Sequence, residues 1–219
     1  MNLIRTFVFN PIQTNTYVVQ QAETSPKGVI VDPACATEAE FSQLTDYIEE
    51  RGLEIERVVL THPHFDHLMG AAAVCRHYGL PLCLHEKAQP LLAACTNPAF
   101  TYGMPVPALP EKLEILKTGD RVPFGDTALE VRYTPGHCEG SVVYVWHEQQ
   151  TVFTGDVLFR DSIGRTDLPT GDWDVLRKSI LEQVFTLDDA YTVRPGHGGR
   201  TTVGYERTHN PFLGIEAGL

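Results

Sequence analysis

The sequence predicts a four-layer α/β sandwich, with two β-sheets packed on each other and helices on both outer faces. Three observations carry that expectation. The first third alternates short apolar strands with amphipathic helices. The second half is richer in strands, separated by glycine and proline turns. In both halves strands run out into short loops that hold histidine or aspartate. At 219 residues the chain fits one domain over residues 1–219, since no repeat or Gly/Ser-rich linker divides it.

Residues 3–9 and Tyr17–Gln20 read as strands joined by the polar turn Gln13 to Asn15. Gly28–Pro33 is a short buried strand ended by its proline. Glu38–Arg51 places Phe41, Leu44, Tyr47 and Ile48 on one helical face, and Gly52 stops it. Arg57–Leu60 is a strand that leads directly into Thr61-His62-Pro63-His64. Leu68–Tyr78 reads as a helix closed by Gly79, and Pro81–Leu84 as the next strand. Residues 96–110 hold four prolines and no periodicity, the pattern of a long loop. Four strands follow, Arg121–Phe124, Ala128–Tyr133, Ser141–Trp146 and Thr151–Thr154, with turn residues between them. Trp173–Val184 is a helix capped by Asp172, and Tyr191–Val193 a last strand.

Composition narrows the function classes. Apolar residues at 42% and charged residues at 21% give the balance of a soluble globular protein. A net charge of −11 without any run of Lys or Arg excludes a nucleic-acid surface. The start of the chain lacks the features of a signal peptide, and no apolar run approaches the roughly 18 residues of a membrane span. No membrane partner is therefore expected. The five cysteines, Cys35, Cys75, Cys83, Cys95 and Cys138, include no C-x-x-C pair. They fit neither a disulfide framework nor a thiolate zinc site, and read as small buried residues in a reducing, cytoplasmic setting. The oligomeric state is left open.

Chemistry concentrates in Thr61-His62-Pro63-His64-Phe65-Asp66-His67, where four ligand-type side chains lie within six residues. In an extended segment residues two apart point the same way, so His62 and His64 face one ion together. As the chain turns into a helix, Asp66 and His67 reach a neighbouring ion. Imidazole and carboxylate without thiolate suit zinc first, with iron or manganese also accommodated. Three further strand ends, Gly136-His137, Gly155-Asp156 and Gly196-His197, each lead through glycine to one more ligand-type residue.

H-x-H-x-D-H followed by these Gly-His, Gly-Asp and Pro-Gly-His ends resembles the metallo-β-lactamase superfamily, over nearly the whole chain. Within it, Phe159–Asp172 and Gly196–Phe212 are similar to the glyoxalase II (hydroxyacylglutathione hydrolase) branch and its short relatives. The resemblance implies two divalent metal ions. His62, His64 and His137 would hold one, Asp66, His67 and His197 the other, and Asp156 would bridge them. A β-lactamase is disfavoured by His67 and by the lack of a cysteine ligand, Cys138 being out of position. Full-length glyoxalase II enzymes add a C-terminal helical domain that grips glutathione. The chain stops soon after Asn210-Pro211-Phe212, so that grip is expected to be absent or replaced.

The implied activity is hydrolysis of a small-molecule thioester such as a hydroxyacyl-glutathione by a metal-bridging hydroxide, with Asp66 as a proton acceptor. Two other classes stay beside it: a mononuclear iron persulfide dioxygenase, and a non-enzymatic metal-binding protein. Arg165 either binds a substrate carboxylate or pairs with Asp167 or Asp161. Phe100 and Tyr102, with Met104, either form an apolar substrate-binding lid or anchor a surface loop. Asp32 is expected to accept hydrogen bonds behind the ligands. His77, His85, His147 and His209 lack a ligand context.

Overall fold

The computed structural model describes residues 3–98, 101 and 103–213. Among these residues the first half builds a six-stranded sheet in simple chain order. β1 (Ile4–Phe9) and β2 (Thr14–Gln20) form an antiparallel hairpin, and β3 (Lys27–Val31) continues it. α1 (Glu38–Glu50) then carries the chain back so that β4 (Glu54–Val59) lies parallel to β3. Its start is fixed by a capping box, in which Thr37 accepts from the Glu40 N–H and Glu40 reaches back to the cap.

The helix expected over 68–78 is two pieces, α2 (Phe65–Leu68) and α3 (Ala71–Tyr78), parted at Met69-Gly70. The break lets the Gly70 N–H bond to Pro33 O at 2.8 Å, so the second piece starts on its own axis. β5 (Leu82–His85) follows. After a one-turn α4 (Leu92–Cys95) and the proline-rich loop comes β6 (Leu113–Leu116), parallel to β5. The sequence leaves β6 unread because it is an edge strand of four residues with Glu114 and Ile115 exposed, too short to display a period.

The second half builds the other six-stranded sheet. β7 (Arg121–Phe124), β8 (Thr127–Tyr133), β9 (Val142–Trp146) and β10 (Thr151–Gly155) form an antiparallel meander, each within a residue or so of its expected range. A small hairpin, β11 (Leu158–Phe159) with β12 (Ser162–Ile163), precedes α5 (Trp173–Ser179). Asp172 caps α5 by accepting from the Val175 N–H, as expected, but the last turn, residues 180–184, widens to π geometry. β13 (Thr192–Pro195) pairs parallel with β10, β14 (Thr201–Thr202) pairs antiparallel with β13, and α6 (Val203–His209) closes the described chain.

Strand alternation sorts the side chains into the layers. Val29 and Val31 of β3 meet Val142, Tyr144 and Trp146 of β9 between the sheets. Ile30 points outward to the layer of α1 and α3, while Val143 and Val145 point to the layer of α5 and α6. β9 is buried on both faces and is accordingly apolar throughout, Val-Val-Tyr-Val-Trp. Each such side chain contributes roughly 1.5–3 kcal/mol through burial. The fold is thus the expected four-layer α/β sandwich. Its consequence for chemistry is positional: loops at the C-terminal ends of β3, β4, β8, β10 and β13 carry Asp32, His62 to His67, His137, Asp156 and His197.

Candidate metal centre

Those loops bring all seven predicted ligand residues into one cluster. Past β4 the chain stays extended, and the His62 and His64 rings lie 4.7 Å apart at nearly a right angle. His137, from the turn between β8 and β9, closes the group with Nε2 at 2.8 Å from His64 Nδ1. The ligand atoms of these three histidines lie within 4.8 Å of one another. One turn on, α2 presents Asp66 and His67, and His197 arrives from the end of β13. His197 Nε2 lies 3.3 Å and His67 Nε2 3.5 Å from Asp66 Oδ2.

Asp156 sits between the two groups. Its Oδ2 is 4.0 Å from His62 Nε2, 3.7 Å from His137 Nε2 and 3.5 Å from His197 Nε2, while Oδ1 is 3.4 Å from His67 Nε2. His62 Nε2, His67 Nε2 and Asp156 Oδ1 are buried and make no hydrogen bond. Buried polar atoms are rarely left so, and three of them converging on one space fit the donor set of a metal ion. An all-nitrogen-and-oxygen donor set suits a divalent ion of the zinc, iron or manganese kind.

The two sides differ in charge. Burial, aided by His137, holds His64 down to about 3, and burial with His67 pushes His62 down as well. Both imidazoles are neutral at pH 7 and ready to ligate. On the other side burial also opposes charge, but carboxylates outweigh it. Asp66, Asp32 and Asp156 hold His67 well above its ordinary value, and hydrogen bonds to Asp156 and Asp66 raise His197 to about 9. Asp156 is held well below the carboxylate range, where His67 and His197 overcome the burial that would raise it. A cation entering this side takes the place of protons.

Groups behind the cluster fix its geometry. Asp32, buried and at φ 51°, accepts from Thr61 N and Thr61 Oγ1 at 2.7 Å each and meets His67 Nδ1 at 2.9 Å. That contact turns His67 Nε2 toward Asp156, the supporting role expected of Asp32. His137 Nδ1 donates to Arg165 O at 2.8 Å. Two glycines are required by close approach: a Cβ at Gly196 would lie 2.2 Å from Asp156 Oδ1, and one at Gly155 (φ 48°) would lie 2.4 Å from Thr61 Oγ1.

Sequence reasoning missed the contribution of the first hairpin. Thr14 Oγ1 donates to Asp66 Oδ2 at 2.8 Å, and Asn10 Nδ2 to Asp66 O at 3.1 Å. Asn15 Nδ2 holds both Pro195 O and Gly198 O at 2.9 Å, and the Tyr17 hydroxyl donates to Pro195 O at 2.6 Å. The available signal was Thr14-Asn15-Thr16, a polar run inside a strand that is buried from end to end.

Arg165 spends its guanidinium on Asp167, at 2.7 and 2.8 Å, the structural alternative of the two considered. Phe100 and Tyr102 lie outside the described residues. The remaining histidines keep other company: His85 stacks on Tyr133, His77 meets Phe41 edge-on, His147 pairs with Glu130, and His209 stacks on Tyr205. Cys138 is buried, with its sulfur 3.2 Å from Ser141 Oγ. A cavity of about 490 Å³ opens beside the cluster, bounded by His64, Asp66, His137, Asp156 and His197 and by a set of apolar side chains. No helix among the described residues is long and apolar enough to cross a membrane.

Several known proteins resemble this chain in sequence and in fold. A relative named hydroxyacylglutathione hydrolase GloC, from Haemophilus influenzae, is 34% identical over 186 residues, covering 84% of this chain and 86% of its own. The crystal structure of BLEG-1, named a B3 metallo-beta-lactamase, superposes with a TM-score of 0.84 at 34% identity over 96% of this chain and 99% of its own. That of TTHA1623 in a di-iron-bound form gives 0.83 at 35% identity over 95% and 100%. ETHE1 from Myxococcus xanthus gives 0.75 at 25% identity over 97% and 84%. The sequence profile of the metallo-beta-lactamase superfamily matches residues 9–197, which span every residue of the cluster, and the chain belongs to this superfamily of metal-dependent hydrolases.

Proposed function

We propose that the protein is a binuclear hydrolase of small-molecule thioesters, a short form of the hydroxyacylglutathione hydrolase type acting in a reducing, cytoplasmic setting. The observation that carries the reading is Asp156, whose two oxygens face the two histidine groups from between them with one oxygen unpaired. A mononuclear site of two histidines and one carboxylate would also use Asp156, but it would leave Asp66, His67 and His197, gathered on its other side, without an ion. In this reading His62, His64 and His137 hold one divalent cation, Asp66, His67 and His197 hold the other, and Asp156 is shared. Zinc suits the donors first, and the di-iron form of TTHA1623 supports iron as the alternative.

When bound, such a pair lowers the pKa of a water toward neutrality and polarises the carbonyl under attack. The chain supplies the rest. Asp66 is ionised at neutral pH, because His67 and His197 outweigh the burial that would raise it. With one oxygen held by the Thr14 hydroxyl, it accepts the proton from the attacking water. A thiolate leaves readily, so no general acid is required. The name of GloC supports a glutathione thioester as substrate class.

A second reading, oxidation of a persulfide at a single iron, is favoured by the likeness to ETHE1. Likeness to BLEG-1, named a B3 metallo-beta-lactamase, is as strong as that to GloC, so a β-lactam belongs in the test beside the thioester. Metal content of protein purified without added metal is measured alongside three assays: lactoyl-glutathione cleavage, cephalosporin cleavage, and oxygen uptake with glutathione persulfide. Two metals per chain with thioester cleavage fastest is the expected result. One iron with oxygen uptake and no thioester cleavage overturns the reading, as does faster cephalosporin turnover.

A further inference from the structure

The cavity beside the cluster has walls unlike those a hydroxyacyl-glutathione needs. Away from the ligand residues it is bounded by Ile12, Phe65, Leu91, Cys95, Leu168 and Pro169. These come from four separate segments: the first hairpin turn, α2, α4 with the turn before it, and the loop before α5. At about 490 Å³ the space lies within the range of roughly 300–1,000 Å³ that holds small organic ligands. Among the described residues lining it, Arg165 is the only Lys or Arg, and its guanidinium is held in a two-point pair by Asp167.

A glutathione moiety carries carboxylates and an ammonium. Placed in this space, its charges would exchange water for hydrocarbon without partners, which is costly. An apolar acyl group gains from the same exchange, since each methylene removed from water contributes favourably. Leu168 and Leu91 are half-buried in the protein alone, so a ligand covers them further.

We infer that the cavity is an acyl pocket, and that the preferred substrates are thioesters of medium-length aliphatic or aryl acids rather than of small hydroxy acids. This rests on the thioesterase reading and names its acyl half. The thiol then lies outward in solvent and contributes little to selection.

The test uses metal-loaded protein and four thioesters: octanoyl and lactoyl esters of uncharged N-acetylcysteamine and of glutathione. On either thiol, octanoyl should exceed lactoyl by at least about tenfold in kcat/KM, because buried methylenes add binding free energy realised at the reacting carbonyl. Leu168→Asp should lower the octanoyl value about tenfold and bring the two acyl groups together, with circular dichroism confirming the fold. Leu91→Asp, in a different segment, should do the same. Calorimetric binding of the non-hydrolysable octyl thioether of N-acetylcysteamine should weaken about tenfold in both variants. Lactoyl turnover equal to or above octanoyl turnover overturns the acyl pocket and leaves the hydrolase standing. If no thioester is cleaved, the underlying function fails, and the thioether decides the cavity: weaker binding in the variants supports an apolar pocket, and unchanged binding overturns it.

Discussion

At position 156 a carboxylate lies within 4.0 Å of four imidazole nitrogens, which makes it the side chain whose loss touches both halves of the cluster. Asp156→Ala leaves the two proposed cations to repel each other unscreened. Turnover should fall by at least about a hundredfold and bound metal should drop below two per chain; plasma mass spectrometry beside the thioester assay checks both, and normal values would remove the assignment. His197 touches only one half, so His197→Ala should deplete one metal and spare the one proposed at His62, His64 and His137. Loss of both metals together with the circular dichroism signal would make that turn structural instead. Asp32→Asn alters a residue that reaches the cluster only through His67 and Thr61. It should weaken metal affinity by about 10–100-fold in a chelator competition while the fold persists. At this scale legibility was uneven. The seven proposed ligand residues announce themselves because histidine and aspartate at strand ends are hard to explain otherwise. Thr14, Asn10 and Asn15 do not, because threonine and asparagine near a turn fit ordinary hairpin chemistry just as well.

The elements best read from the sequence are those with a period and a stop. α1 has both, and its observed end falls within one residue of the expected one. Its capping box does more than start a helix, since Glu40 also accepts from the Asn10 N–H at 2.8 Å and so ties α1 to the first hairpin. Thr37→Ala should cost about 1 kcal/mol, and hence lower Tm by about 2–4 °C for a chain of this size. A scanning calorimeter reads this directly, and an unchanged Tm would deny the cap any net worth. Elements that escaped the sequence are short or broken: β6, the split between α2 and α3, the hairpin β11–β12, and α6 with its preceding β14. Two-residue strands have no period to display, and α6 begins Val-Gly-Tyr, which carries little helical signal.

For the whole molecule, the sandwich was legible because its two halves differ in rhythm, helix-interrupted first and meandering second. Substrate choice was not. The loops of the cluster lie within the stretch matched to a whole superfamily, while the proposed acyl walls are assembled from four distant segments whose convergence no local pattern encodes. Because the proposed ligands converge from both sheets, metal binding belongs to the folded state. Chelation should therefore lower Tm, with a loss of about 2.7 kcal/mol for an ion present at a hundred times its dissociation constant. Identical melting curves with and without chelator would show that the cluster binds no metal tightly.

The hairpin that steadies the cluster also sets when it can exist. Asn15 reaches Gly198 across 183 residues, and Thr14 bridges to His197 over the same span. Closing so long a loop costs entropy before any contact repays it, which puts this junction among the last events of folding. On the proposed assignment, His197 reaches the cluster only after the last strands are made, so the second metal binds a chain that is already folded, and a nascent polypeptide emerging from the ribosome carries His62 to His67 without that partner.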